Sequence, residues 1–156
     1  PDHPKIEFNL SLSGHWVVLA VAPTPVGVDV ESIHTVDIDI ADRFFASEET
    51  AELRSLSESR RPDFFFSLWT LKESFLKAHG TGLTQPLNSF RMKFGPDGSI
   101  RAYQACAWLR HLHFKQYSLE TGYALSVCSQ TPEFVEMPRI HTLPELSDTL
   151  YHQCSA

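Results

Sequence analysis

The chain predicts an α+β fold in which an antiparallel sheet packs against a long central helix. Three observations carry this expectation. Residues with a period of two recur near both ends of the chain, at 5–31 and at 90–129. A helical pattern runs from Pro62 to His79 without a breaker and stops at Gly80. Short turn signals, Gly95-Pro96-Asp97-Gly98 and Thr121-Gly122, separate the later strand candidates, as hairpins require.

Each element has its own reason. Lys5 to Ser11 alternates around Ile6, Phe8 and Leu10 and reads as a strand, with Ser13-Gly14 as the turn after it. His15 to Ala22 reads as a buried strand. Pro23-Thr24-Pro25 ends it before a third strand, Val26 to Glu31, and so short a link predicts that these two strands are antiparallel neighbours. Ile38 to Phe45 is a short apolar-rich segment. Ser47 is the expected N-cap of a helix to about Leu56, with Glu48 and Glu49 placed to complement its dipole. Ser57 to Arg61 is a polar loop, and Pro62 suits the first turn of the long helix. Strands are then expected at Phe90–Phe94, Ile100–Ala105, Phe114–Leu119 and Ala124–Ser129, and a terminal helix at Pro144–Tyr151. No repeat or linker divides the chain, so residues 1–156 form a single domain.

The bulk numbers narrow the function. With 42% hydrophobic and 21% charged residues the chain has the balance of a globular protein. A formal charge of −6 argues against a general nucleic-acid surface, no apolar run is long enough for a membrane span, and the opening lacks the basic-then-apolar layout of a secretory leader. Cys106, Cys128 and Cys154 include no Cys-x-x-Cys pair, so reduced thiols and a cytoplasmic location are expected. Opening on Pro1, the chain reads as processed, truncated or excised.

Two runs carry the chemistry. In Val26-Gly27-Val28-Asp29-Val30-Glu31, strand alternation puts the three valines on one face and Gly27, Asp29 and Glu31 on the other. The two carboxylates then stand about 7 Å apart, a spacing suited to bracketing a hard cation. Gly27 leaves room on that face for a ligand or another backbone. In Trp69-Thr70-Leu71-Lys72-Glu73-Ser74-Phe75-Leu76-Lys77, an apolar stripe of Phe64, Leu68, Leu71 and Phe75 faces the core, while Glu73 and Lys77 lie one turn apart on another face. Taken alone, the first run is ordinarily a solvated edge strand, and the second an ordinary surface ion pair. Together they supply what magnesium or manganese needs on a diphosphate. Asp29, Glu31 and Glu73 give a partial oxygen shell, and Lys77 and Lys72 offset charge on the phosphate oxygens.

These runs, with Phe8-Asn9-Leu10-Ser11-Leu12-Ser13-Gly14 before them and Phe44-Phe45-Ala46-Ser47-Glu48-Glu49 between them, resemble the 4′-phosphopantetheinyl transferases of the surfactin-synthetase-activating (Sfp) type. The likeness extends to about residue 135. It implies transfer of the phosphopantetheine arm of coenzyme A to a serine of an apo acyl or peptidyl carrier protein, with release of 3′,5′-ADP. It further implies Asp29, Glu31 and Glu73 as magnesium ligands, Glu73 as the base toward the serine, and Lys77 on the diphosphate. Lys72 would be a second phosphate-side lysine, and Ser11 a contact to the 3′-phosphate. The fold implied is one half of a pseudo-dimer. The chain begins just after the family's Gly-Lys-Pro segment, so a second half is expected in cis, in trans or by self-association. Leu12 stands where the family has a histidine that holds the 3′-phosphate, and His15 is not expected to replace it.

Other residues invite plainer readings. His111 and His113 lack a third ligand and read as surface histidines, and His79 suits the helix C-terminus. Phe64-Phe65-Phe66 and Trp16 read as core. Arg43, Arg54 and Arg60-Arg61 read as solvated cations, the last pair also being available to an acidic carrier helix. The competing function is a non-catalytic half that binds coenzyme A or a carrier protein. A metal-dependent phosphodiesterase is a third reading, with no water-activating motif to single it out.

Overall fold

The computed structural model describes residues 5–80 and 82–146. Among the described residues eight strands run β1 Glu7–Ser13, β2 Trp16–Ala22, β3 Val26–Ser32, β4 Phe90–Phe94, β5 Ile100–Gln104, β6 Ala107–Trp108, β7 His113–Tyr117 and β8 Tyr123–Ser129. Three helices lie between β3 and β4: α1 Ala41–Phe44, α2 Ser47–Ser55 and α3 Arg61–His79. Mixed α and β with antiparallel pairing is the class expected. The strands form three small antiparallel sheets, β1-β2, β3-β8-β7 and β4-β5-β6, where one sheet was expected.

The pairing of β3 corrects the expectation of a β2 neighbour. Val26–Ser32 forms its ladder with β8, Val28 opposite Val127 and Asp29 opposite Ser126, and no ladder joins it to β2 among the described residues. Its other edge is covered by side chains of β1. Val28 N–H donates to Asn9 Oδ1 at 3.0 Å, Val30 N–H to Ser11 Oγ at 3.2 Å, and Ser32 N–H to Ser13 Oγ at 3.0 Å. The constant offset makes β1 and β3 parallel. An exposed strand edge is thereby satisfied without a main-chain ladder.

This arrangement inverts β1. Its polar rungs Asn9, Ser11 and Ser13 point inward, and Ile6, Phe8, Leu10 and Leu12 point out. The expected burial of 15–22 holds for one face only. Trp16, Val18 and Ala20 pack on Val28, Val30 and Leu125, while Val17, Leu19 and Val21 are exposed. With Phe8 opposite Val21, Leu10 opposite Leu19 and Leu12 opposite Val17, the hairpin presents a continuous apolar face.

Helix α3 is 19 residues long and packs on β3 and β8. Phe65, Phe66, Leu68, Leu71, Phe75 and Leu76 are buried against Phe45, Leu53, Phe90, Met92 and Leu112. Pro62 lies in its first turn, and Gly80 ends it at φ 69°, a left-handed conformation glycine adopts cheaply. Gly27 lets β3 approach this helix: a Cβ there would collide with the Ser74 carbonyl oxygen and the Ala78 amide nitrogen. The room expected at Gly27 is taken by helix backbone.

Smaller differences follow local chemistry. Ala46, not Ser47, is the N-cap of α2, because Glu49 reaches back to accept from the Ala46 N–H at 2.8 Å. Part of the expected loop at 57–61 is a 3₁₀ turn, Glu58–Arg60. Residues 143–146 are helical, and the remainder of the expected terminal helix lies outside the described residues. Cys106 is exposed and Cys128 buried, both free; Cys154 lies outside the described residues. Among the described residues no helix is long and apolar enough to cross a membrane.

Candidate active site

An open recess of about 440 Å³ is lined by Leu10, Ser11 and Leu12 of β1, Asp29 and Glu31 of β3, and Trp69, Glu73 and Lys77 of α3. The three carboxylates and the lysine, far apart in sequence, are thus drawn to one place. Two packing facts bring them there. Gly27 seats β3 tightly on α3, and the polar rungs of β1 fix the edge of β3 beside them.

Asp29 is 3% exposed. Its Oδ1 accepts from Lys77 Nζ at 2.7 Å and from Ser11 Oγ at 3.0 Å. Its Oδ2 is buried with no hydrogen-bond partner. An orphaned carboxylate oxygen in a buried site costs free energy that a cation would recover. Lys77 also donates to Val28 O at 3.0 Å and Ser11 Oγ at 3.1 Å, which uses all three ammonium protons. Ser11 is equally saturated: one proton given to Asp29, two lone pairs taken by Val30 N–H and Lys77. Ser13 Oγ donates to Glu31 Oε2 at 3.1 Å.

Burial disfavours the ionised form of all three carboxylates, and repulsion among them adds to this at Glu31 and Glu73. Burial raises the Asp29 carboxyl above its ordinary range, and Lys77 only partly opposes this. Glu31 is raised by burial and then by the charge of Asp29. Glu73 is raised by burial, then by Asp29 and Glu31, against the pull of Lys77. Among the described residues no three His, Cys, Asp or Glu side chains stand close enough to grip a metal as they are. The donor set nevertheless fits a hard divalent cation: three mutually repelling carboxylates and one unpartnered buried oxygen.

Lys72 is not in this recess. Its side chain is 0% exposed and its ammonium pairs with Glu49 Oε2 at 2.8 Å. It donates to Leu87 O and Phe90 O at 3.0 and 2.7 Å and lies 4.4 Å from the centre of the Phe90 ring. Burial pulls its pKa down and Glu49 opposes that. Glu49 in turn accepts from Met92 N–H at 2.7 Å. The lysine expected on the phosphate side is enclosed in the scaffold joining α3, α2 and β4, since adjacent positions on a helix face different ways.

The sequence reading missed Asn9, Ser13 and Glu49. The first two are legible as Asn-x-Ser-x-Ser, small polar residues at the strand period. Among the plainer readings, Arg61 ties α3 to α2 through Leu56 O and Arg54 O, and Arg54 pairs with Asp39 and Asp42. His79 packs on the Phe75 ring, 4.9 Å between centres. His15 bridges Tyr123 and Glu120, away from the recess lining.

The family model described as the 4′-phosphopantetheinyl transferase superfamily matches residues 25–128. The 4′-phosphopantetheinyl transferase ffp of Bacillus subtilis is 38% identical over 136 residues, covering 87% of this chain and 60% of that protein. The transferase Sfp of Bacillus subtilis strain 168 is 36% identical with the same coverage, and psf-1 of Bacillus pumilus is 36% identical over 94% of this chain and 63% of its own. The chain thus spans about 60% of the length of these relatives. Among solved structures, the holo-[acyl-carrier-protein] synthase of Neisseria meningitidis aligns with a TM-score of 0.56 at 16% identity, over 67% of this chain and 94% of that one. The Bacillus anthracis synthase, solved in complex with CoA (3′,5′-ADP), aligns at 0.53 and 17% identity over 67% of this chain and 93% of its own. At such identities these structures speak to the fold alone.

Proposed function

The chain belongs to the 4′-phosphopantetheinyl transferase superfamily, and from that premise we propose that it carries the catalytic carboxylates and lysine of a transferase moving 4′-phosphopantetheine from coenzyme A to a carrier-protein serine. The observation that carries the proposal is the convergence of Asp29, Glu31, Glu73 and Lys77 on one recess, with Asp29 Oδ2 buried and unpartnered among the described residues.

Asp29, Glu31 and Glu73 would hold magnesium or manganese. Bound there, the cation would supply positive charge to the diphosphate oxygens and the departing phosphate. Glu73 is the base: it takes the proton of the serine hydroxyl, directly or through a water, as the serine oxygen bonds to phosphorus and the P–O bond to 3′,5′-ADP breaks. The cation would keep Glu73 ionised, and so able to accept that proton. Lys77 gives up at least one of its three contacts to donate to a diphosphate oxygen. Trp69, Leu10 and Leu12 supply the apolar part of the recess lining.

Two further roles need adjustment. Ser11 reaches the nucleotide only by releasing Asp29 or Lys77, so its first duty is within the cluster. Lys72 belongs to the scaffold, because its ammonium is occupied by Glu49 and two carbonyls. The exposed apolar face of β1-β2, whose Leu10 and Leu12 border the recess, supports the need for a second half in cis, in trans or from another copy. A cytoplasmic setting, where coenzyme A and reduced thiols coexist, completes the reading.

The test is modification of an apo carrier protein by fluorescent coenzyme A. Transfer is expected with the complete site, lost in Glu73→Ala and on addition of EDTA. Binding of coenzyme A or carrier with no transfer under any of these conditions would leave the non-catalytic half as the correct reading. Cleavage of coenzyme A without an acceptor would mark a phosphodiesterase.

A further inference from the structure

The three rungs that β1 extends to β3 are alike in one respect and different in another. Asn9, Ser11 and Ser13 each accept a backbone N–H from β3, at Val28, Val30 and Ser32. Only the serines also donate onward, Ser11 to Asp29 Oδ1 and Ser13 to Glu31 Oε2. Among the described residues Asn9 makes one side-chain hydrogen bond, to Val28, and none to a carboxylate. A hydroxyl has one proton and two lone pairs, so a serine can accept from the strand edge and donate to a carboxylate at once. That combination ties each carboxylate's rotamer to the backbone of its own strand.

We propose that Ser13 and Ser11 are positioning residues that aim Glu31 and Asp29 at the cation, while Asn9 is a purely structural rung of the same ladder. This rests on the cation reading above. The physical reason is orientation: Glu31 is only half-buried and has several rotamers to lose, and a fixed hydroxyl removes most of them before the cation arrives. Ser13 sits just before the turn at Gly14, and Gly14 packs on Tyr123, so the rung's position is set by the hairpin end. The carboxylates would therefore be held from β1, an element that supplies no cation ligand itself.

The experiment measures Mn²⁺ binding to the full chain by the paramagnetic resonance signal of free Mn²⁺, without coenzyme A or carrier. Ser13→Ala and Ser11→Ala are each expected to weaken binding about tenfold or more, the usual effect of losing an outer-shell partner. Ser13→Thr keeps the hydroxyl and should bind like the parent. Asn9→Ala should bind within about twofold of the parent although it loses the same backbone bond and a comparable amount of thermal stability. If Ser13→Ala does not fold, Ser13→Cys, with its weaker donor, provides the same comparison. Equal weakening by Asn9→Ala and Ser13→Ala, or none by either serine variant, would overturn the assignment. Absence of Mn²⁺ binding by the parent chain would instead overturn the cation reading beneath it.

Discussion

Lys77 and Asp29 show how a residue's chemistry depends on what else is present. Without a cation, the Lys77 ammonium is the positive charge nearest Asp29, and it gives all three protons to the cluster. A lysine so engaged cannot also grip a diphosphate. Cation binding at Asp29 would compete with Lys77 and free it, so the two ligands of the proposed reaction would assist each other. The carboxylates give this a pH signature. Asp29, Glu31 and Glu73 all have folded pKa values above their ordinary range, so between that range, near pH 4, and the raised values the folded chain holds more protons than the unfolded one. Their contribution to stability is then fullest at about pH 4 and below, and it declines as pH rises through the raised values. In chelator at pH 7, Glu73→Gln should melt about 2–4 °C above the parent, the shift that about 1 kcal/mol gives a chain of this size. The gap should close near pH 4, and transfer should be lost. A lower melting temperature for the variant at pH 7 would show that the cluster is not strained by its charge.

At the scale of elements, the Lys72–Glu49 pair is the bolt of the helical layer. It connects α3 to α2, and through Met92 N–H and Phe90 O it reaches β4. Breaking a buried pair by removing one partner leaves a charge without compensation, which typically costs about 3–5 kcal/mol. Lys72→Met should therefore destabilise the chain by about that amount, measured by urea unfolding, and Lys72→Met with Glu49→Gln should recover much of the loss. Were Lys72 a phosphate contact, the single variant would keep its stability and lose coenzyme A affinity instead. The β1-β3 ladder makes the complementary point: two strands can be locked in register by side chains alone, with polar residues inside and leucines outside.

For the whole molecule, the consequence is an unfinished surface. Ile6, Phe8, Leu10, Leu12, Val17, Leu19 and Val21 are all about half to two-thirds exposed or more on one face, from 48% at Leu10 to 71% at Leu12. Contiguous apolar area of this kind marks an interaction site in soluble proteins. The isolated chain should therefore sediment heavier than its 17.7 kDa monomer, and Phe8→Glu with Leu19→Glu should return it to that mass. Sedimentation of the parent as a clean monomer would remove self-association as what covers this face.

How much of this was legible follows from which interactions are local. The long helix, its stop at Gly80, the hairpin turns and the Asp-x-Glu face depend on periodicity and on backbone preferences, and these act between near neighbours. Glu73 and Lys77 could be recognised for the same reason, since one helical turn sets their spacing. The partner of β3, the inversion of β1, the enclosure of Lys72 and the saturation of Ser11 could not be read in this way. Each depends on contacts between residues 15 or more positions apart, such as Ser11 with Asp29 or Lys77 with Val28, or on a burial that neither neighbour in sequence imposes. Alternation says that a strand has two faces; only the packing of β2 on the valine face of β3 and of α3 on its Gly27 face decides what each face meets, because burial is a property of the assembled layers and not of the strand.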